Sequence, residues 1–269
     1  MQSPKATIVP AHETRDALLT GNLQEALEAA TGAVLTAGLA LGGYAYAALW
    51  PGSQIFGHTL TAPRNPENGP GQIALTFDDG PNPRWTPLLL ETLARHNARA
   101  TFFLVGKYAA IQAPLVRQMH QAGHLIANHT WSHPNLARTS AQKNREELAR
   151  TSEELQQIVG APIRYFRPPF GGRRPATLRI ARELGLIPVL WNAMTADWDA
   201  HEPSQVTPPL SKLVERNQKR GYATNIVLHD GSHRTLEADR SASVAAAGQL
   251  LSRFAASHQF VTVEAWPET

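Results

Sequence analysis

The chain of 269 residues has no cysteine. That absence excludes disulfides and thiolate metal sites, and leaves His and carboxylate side chains as the ligands any metal must use. It does not fix the compartment, since an exported chain can do without disulfides. Charge is also sparse. Only 17% of residues are charged, the formal net charge is +3, and no Lys/Arg cluster stands out. An extended nucleic-acid surface is thereby excluded, because phosphate binding needs concentrated positive charge. Nor is there a repeat at solenoid periods. What is present is a 42% hydrophobic fraction, enough for a true core and unlike a disordered chain. The length suits one large α/β domain with an appendage, or two small domains.

Charge disappears altogether near the N-terminus. From Ala29 to Trp50 the chain carries none, and none returns before Arg64. This run matches the roughly 20 residues that span a bilayer, and Tyr44, Tyr46 and Trp50 cluster where aromatic rings favour the interface. Residues 29–50 therefore read as a membrane anchor behind an N-terminal segment, 1–28, with the remainder outside the cytoplasm. A buried Ala/Gly-rich helix is the alternative. So is a cleaved signal peptide, for which Ala45-Tyr46-Ala47 has small-x-small spacing and which implies secretion. Residues 51–71, rich in Pro, Gly and Asn, read as a linker to a domain over 72–269.

In that domain short β-rich runs alternate with amphipathic stretches. The runs are Ile73–Phe77, Ala100–Val105, His124–Asn128, Arg164–Phe166, Ile187–Trp191, Asn225–His229 and Gln259–Val263, which read as strands. Helical periodicity covers Thr86–His96, Ala141–Val159, Pro175–Leu184, Ser204–Arg220 and Asp239–Ala256. The second of these has capping-box spacing between Thr139 and Gln142, and Gly160 with Pro162 to stop it. Alternation of this kind implies parallel pairing with right-handed crossovers. The expected fold is α/β, a (β/α) barrel of about seven strands rather than eight, with an open doubly wound sheet as the alternative.

Polar residues fall repeatedly just after the strands. Asp78-Asp79 follow the first, His129 the third, Arg167 the fourth, and His229-Asp230 close the sixth, with Asp197 beyond the fifth. In α/β barrels these ends converge on one mouth, where chemistry is found. Asp-Asp-Gly-Pro alone is an ordinary turn, yet adjacent carboxylates resist joint ionisation unless a cation relieves them. His129 and His133, at i and i+4, can face one metal if the segment turns helically. With Asp79 they make a His₂Asp set that suits zinc, with cobalt and nickel as further options. A divalent metal there lowers the pKa of water and polarises a carbonyl. Asp78 is then the natural base and His229 the natural acid. Arg167, on a Pro-Pro turn, is placed to pair with Asp78 and keep it ionised.

The segments TFDDGP, HTWSH, RPPFG, DW and LHDG, in that order from Gln72 to Val263, resemble the NodB-homology polysaccharide deacetylases, carbohydrate esterase family 4. The resemblance implies a distorted, incomplete (β/α) barrel that hydrolyses N-acetyl groups from GlcNAc-containing glycans such as peptidoglycan or chitin, with metal-bound water as nucleophile. It implies Asp78 as base, Asp79, His129 and His133 as metal ligands, His229 as acid and Arg167 as the group orienting Asp78. The Phe170 N–H would support the oxyanion, while Trp198 and Leu228 would line the acetyl pocket. Met194 stands where many relatives have an Asp that is thought to pair with the acid, so Asp197 becomes the first candidate to tune His229. O-deacetylation or deformylation of another glycan would use the same site, and an inactive membrane-tethered glycan binder is the reading from a different class.

Overall fold

A computed structural model describes residue 31 and residues 34–67 and 69–267. The chain divides into Met1–Tyr46 and Ala47–Thr269. Within the first unit residues 34–46 are helical. Residues 29, 30, 32 and 33 of the expected anchor lie outside the described residues. Among the described residues no helix is long and apolar enough to cross a membrane, so the membrane-anchor expectation gains no support.

The second unit carries the sheet. Its strands are β1 (Gly71–Asp78), β2 (Thr101–Leu104), β3 (Leu125–Asn128), β4 (Tyr165–Phe166), β5 (Ile187–Pro188), β6 (Ala193–Met194), β7 (Thr224–His229) and β8 (His258–Val261). The order is β5-β4-β3-β2-β1-β7-β6, with β8 also on β1, and every ladder is parallel. Residues 73 and 74 of β1 pair with both β7 and β8, and residues 76–78 with both β7 and β2. Hence β8 and β2 share one edge of β1 while β7 takes the other.

The expected fifth strand, Ile187–Trp191, is interrupted. Its start pairs with β4, while a separate short strand, β6, pairs with β7. One stretch of chain thus touches both ends of the sheet. The space between is bridged by Leu60, which pairs with Val189, and by Asn225, whose Nδ2 donates to Leu190 O at 2.7 Å and Thr61 O at 3.1 Å. The result is the curled, incomplete barrel that the sequence implies, with Leu60 from the 51–71 stretch packed in its interior.

Helices α1 (Trp85–Arg95), α2 (Gly106–Ile111), α3 (Ala113–Gln121), α4 (Ala141–Val159), α5 (Pro175–Glu183), α6 (Thr207–Lys219) and α7 (Ser241–Phe254) complete the unit. The sequence reading missed α2 and α3. The first is too short for periodicity to register. At α4 the cap also differs from expectation. Ser140, not Thr139, is the N-cap and accepts from Lys143 N at 3.1 Å, while Thr139 Oγ1 donates to Asn144 Oδ1. Gly160 does close the helix, at φ 71°, a conformation that favours glycine.

Period-2 alternation sorts the strands into two apolar layers. Ile73, Leu75, Phe77, Phe102, Leu104, Ile126, Ile226 and Leu228 join the helix-facing core. Ala74, Phe103, Ala127 and Tyr165 belong to a second cluster with Val189 and Leu60, on the inner face. Asp78 and His229, in phase with Ala74 and opposite in phase to Leu228, therefore point inward.

A buried cation, Arg173, ties residues 48–53 to the loop after β4. Arg173 has no exposed surface and no carboxylate partner among the described residues. Its guanidinium donates to the carbonyls of Trp50 at 2.8 Å, Ser53 at 2.7 Å and Gly171 at 3.1 Å, and its N–H to Ala48 O at 3.0 Å. Burial lowers its pKa to about 10, which leaves it charged at neutral pH. Replacing it by Met strands these carbonyls, so Arg173→Met should lose on the order of 3 kcal/mol in urea unfolding. A loss under about 0.5 kcal/mol, ordinary for a surface site, would show that the brace is dispensable.

Candidate active site

Asp78 ends β1 and His229 ends β7, and they are direct partners in the parallel register. Adjacent strands lie about 4.8 Å apart, so the two groups open onto the same small space. Beside them is Arg167, which has no exposed surface. Its Nη1 donates to Asp78 Oδ1 at 2.7 Å and to Thr76 Oγ1 at 2.7 Å, and Nη2 reaches Asn225 Oδ1 at 3.4 Å. The guanidinium carbon lies 4.0 Å from the Phe103 ring centroid, which covers its apolar face. A buried charge pair of this kind is stable only when its remaining donors are satisfied. Here they are.

Asp79, His129 and His133 form a buried cluster whose candidate ligand atoms all lie within 4.8 Å of one another. Asp79 Oδ1 is 3.0 Å from His133 Nε2 and 3.6 Å from His129 Nε2. Those contacts fall outside hydrogen-bond geometry, so Oδ1 is buried without a hydrogen-bond partner among the described residues. Burial opposes ionisation of Asp79, but the His133 and His233 rings outweigh it and hold the carboxyl well below its usual range. Burial pushes His129 down to about 4, against the pull of Asp78 and Asp79. A neutral His129 donates from Nδ1 to Arg167 O at 2.8 Å, which leaves the Nε2 lone pair facing Asp79. An ionised carboxylate and two imidazoles converging around an unpartnered oxygen fit a divalent cation.

These two histidines do not meet by helical turning, as their spacing suggested. Residues 129–133 form a loop that doubles back through Thr130 at φ 68° and His133 at φ 63°. It is held by Asn128 Oδ1, which accepts from Thr130 N at 2.8 Å, and by Thr130 Oγ1, which accepts from His133 N at 3.1 Å. Glu147 of α4, itself buried, accepts from Ser132 N at 2.7 Å and from its hydroxyl at 2.8 Å. Asp79 and Phe170 also have positive φ, so four of the five such non-glycine residues described belong to this site. Strained backbone is concentrated where ligands must converge.

His229 Nδ1 is 2.9 Å from Asp197 Oδ1, and Asp197 Oδ2 accepts from His229 N at 2.8 Å and Ser243 Oγ at 2.6 Å. Burial disfavours the imidazolium, but Asp197, with smaller contributions from Asp79 and Asp78, raises its pKa to about 9. The carboxylate beside the histidine thus comes from Asp197. Met194 instead lines the cavity, which measures about 660 Å³ and also includes Phe170, Trp198 and Val227. Trp198 meets the His229 ring edge-on, with centroids 5.1 Å apart.

Comparisons with known proteins agree with this geometry. The family model described as "Polysaccharide deacetylase" matches residues 65–189. The chain is 36% identical over 163 residues to a chitooligosaccharide deacetylase of Azorhizobium caulinodans, across 59% of this chain and 73% of that protein. It belongs to the polysaccharide deacetylases. It is also 38% identical over 136 residues to a peptidoglycan-N-acetylglucosamine deacetylase of Bacillus cereus, covering 51% of this chain and only 50% of that protein. A crystal structure of a peptidoglycan N-acetylglucosamine deacetylase in complex with 4-naphthalen-1-yl-N-oxidanyl-benzamide superposes with a TM-score of 0.67 at 30% identity, covering 78% of this chain and 93% of that one.

Within this deacetylase site one expected residue is misplaced. Leu228 lies in the helix-facing core, because it is out of phase with His229 on β7. Val227 is in phase and lines the cavity instead. Two groups, His233 and Glu147, escaped the sequence reading, and Asp230 was placed at its strand end without a role. Asp230 is buried, with Oδ2 accepting from Thr86 Oγ1 and Oδ1 unpartnered among the described residues. Burial pushes its pKa up to about 7. His233 stacks on His133 with centroids 4.2 Å apart. Glu147 occupies the buried face of α4, where a polar residue in an apolar phase was the readable signal. Not every histidine is functional, however. His124 is a core residue whose Nδ1 accepts from Ala100 N at 3.2 Å.

The raised pKa of His229 has a signed consequence. Its contribution to stability is complete below the unfolded value near 6.5 and lost as pH rises through about 9. NMR titration of the His229 ring should show a midpoint near 9, and Asp197→Asn should move it down. An unmoved midpoint would mean that another group tunes the ring.

Proposed function

We propose that this chain removes N-acetyl groups from a GlcNAc-containing polysaccharide, by metal-dependent hydrolysis of the amide. The observation that carries the reading is the convergence of Asp78, held by Arg167, with the Asp79, His129 and His133 cluster and with His229 around one cavity. Asp79, His129 and His133 would hold a divalent cation, zinc by their donor types with cobalt or nickel also suited, which supplies Lewis-acid polarisation of the acetyl carbonyl and lowers the pKa of water.

The protein's own groups perform the remaining work. Asp78, held by the guanidinium at 2.7 Å, takes a proton from the attacking water. The Phe170 N–H donates to the oxyanion as the carbonyl carbon becomes tetrahedral. His229, protonated and held by Asp197, donates from its ring to the departing nitrogen as the C–N bond breaks. Acetate and a free amine on the sugar result. Trp198 and Val227 form an apolar pocket for the acetyl methyl. Names of relatives support this choice of substrate, for they include deacetylases of both peptidoglycan and chitooligosaccharide.

Acetate release from N-acetylchitooligosaccharide or peptidoglycan tests the proposal. Activity should vanish on chelation and return with added zinc. Asp78→Asn should lower kcat by about 10² to 10⁴ while the protein stays folded. Metal-independent release, or full activity in Asp78→Asn, would overturn the assignment. A wall polymer as substrate also places the catalytic unit outside the cytoplasm in our reading. An epitope fused after Thr269 should then be accessible on intact cells.

A further inference from the structure

His233 lies in the loop after β7, away from the motifs that supply the ligand set. We propose that His233 is a positioning residue for the metal centre, fastening the carboxylate of Asp79 by its second oxygen. The inference rests on the reading that Asp79, His129 and His133 hold the metal.

Asp79 presents its two oxygens to different neighbours. Oδ1 faces the Nε2 atoms of His129 and His133. Oδ2 faces His233 Nδ1 at 3.4 Å. A carboxylate held only by its chain can rotate about its terminal torsion, whereas one hydrogen-bonded on the far oxygen presents the near oxygen in a fixed direction. Carboxylates that ligate metals are commonly held in this way, and loss of such a partner costs about 10–100-fold in metal affinity. His129 has its outer partner, the Arg167 carbonyl at 2.8 Å. His233 gives Asp79 the corresponding one.

The His233 ring is itself fixed on several sides. It stacks on His133 with an interplanar angle of 11° and meets Phe170 edge-on with centroids 5.6 Å apart. Its carbonyl accepts from Tyr108 OH at 3.0 Å and Lys107 Nζ at 3.3 Å. The side chain is 29% exposed, so its Nε2 can face solvent while Nδ1 donates inward. That arrangement distinguishes a hydrogen-bonding role from a purely packing one.

The test is zinc affinity by chelator competition, on the full chain, for wild type, His233→Phe and His233→Asn. Phe keeps a ring that can stack but has no donor. Asn places an amide N–H near the position of Nδ1 but has no ring. The expected result is zinc binding weakened about 10-fold or more in the Phe variant and held within about 3-fold of wild type in the Asn variant. Metal-free forms should unfold at the same temperature. Equal affinity in all three proteins, or weakening in Asn as large as in Phe, would overturn the inference. If Phe alone disturbs the metal-free fold, His233→Ala takes its place as the variant without a donor, with the same weakening of about 10-fold expected. A wild type that binds no zinc would defeat the metal reading itself, a result distinct from any difference among variants.

Discussion

A guanidinium fully withdrawn from water lies inside the curled sheet, and the interior is arranged around it. Arg167 donates to Asp78, Thr76 and Asn225, one on the first strand's end, one in its middle and one on β7. Because Asn225 turns its oxygen to Arg167, its amide N–H groups are left for Leu190 O and Thr61 O. Those are the contacts that bridge the open side of the barrel. The ion pair thus organises both the site and the closure around it. A buried pair is a poor source of net stability, and removal of either partner costs about 3–5 kcal/mol. Its effect is instead on geometry, since the guanidinium fixes the direction in which the Asp78 carboxylate faces the cavity.

Strand-end placement made much of this legible in the sequence. Hydrophobic alternation located β1, β2, β3 and β7, and polar residues just beyond them pointed to the mouth of a barrel. Asp78, Asp79, His129, His133, Arg167 and His229 are brought together there. Phase, read strictly, would also have placed Val227 rather than Leu228 in the cavity, since only Val227 shares a face with His229. The loop through Thr130 and His133 was less accessible, because its two left-handed residues are not glycines and carry no turn signature. The interruption between β5 and β6 depends on which strands each half meets, and no local pattern encodes that.

Contacts across loops were harder to read. The pair of Asp197 and His229, 32 residues apart, was expected only by way of the family resemblance, and the reach of His233 to Asp79 across 154 residues was not expected at all. A histidine next to Arg and Thr in a Gly-Ser loop resembles any surface histidine. Only the folded register shows that this loop is pressed against the loop after β1.

That pressing has a mechanical meaning. A Cβ on Gly231 would stand 2.1 Å from Asp79 O, and one on Gly80 would stand 2.5 Å from the Asp230 carboxylate. Neither position can accept a side chain without separating the two loops. The loop bearing the metal-ligand candidate Asp79 and the loop following His229 are therefore in backbone contact, tied further by Thr86 to Asp230. Left-handed residues cost about 1–3 kcal/mol each where they occur in strained form, and they persist only when neighbours over-determine them. Here Asn128, Glu147 and Asp230 do so from three different elements. A site fixed this firmly has little room to adapt its ligand set to different glycans. On the proposed reading, selection among glycans then falls to the cavity rim, where Phe170 at 55%, Trp198 at 40% and Met194 at 37% exposure are the large apolar side chains open to solvent, beside the exposed Asp199 and Arg234.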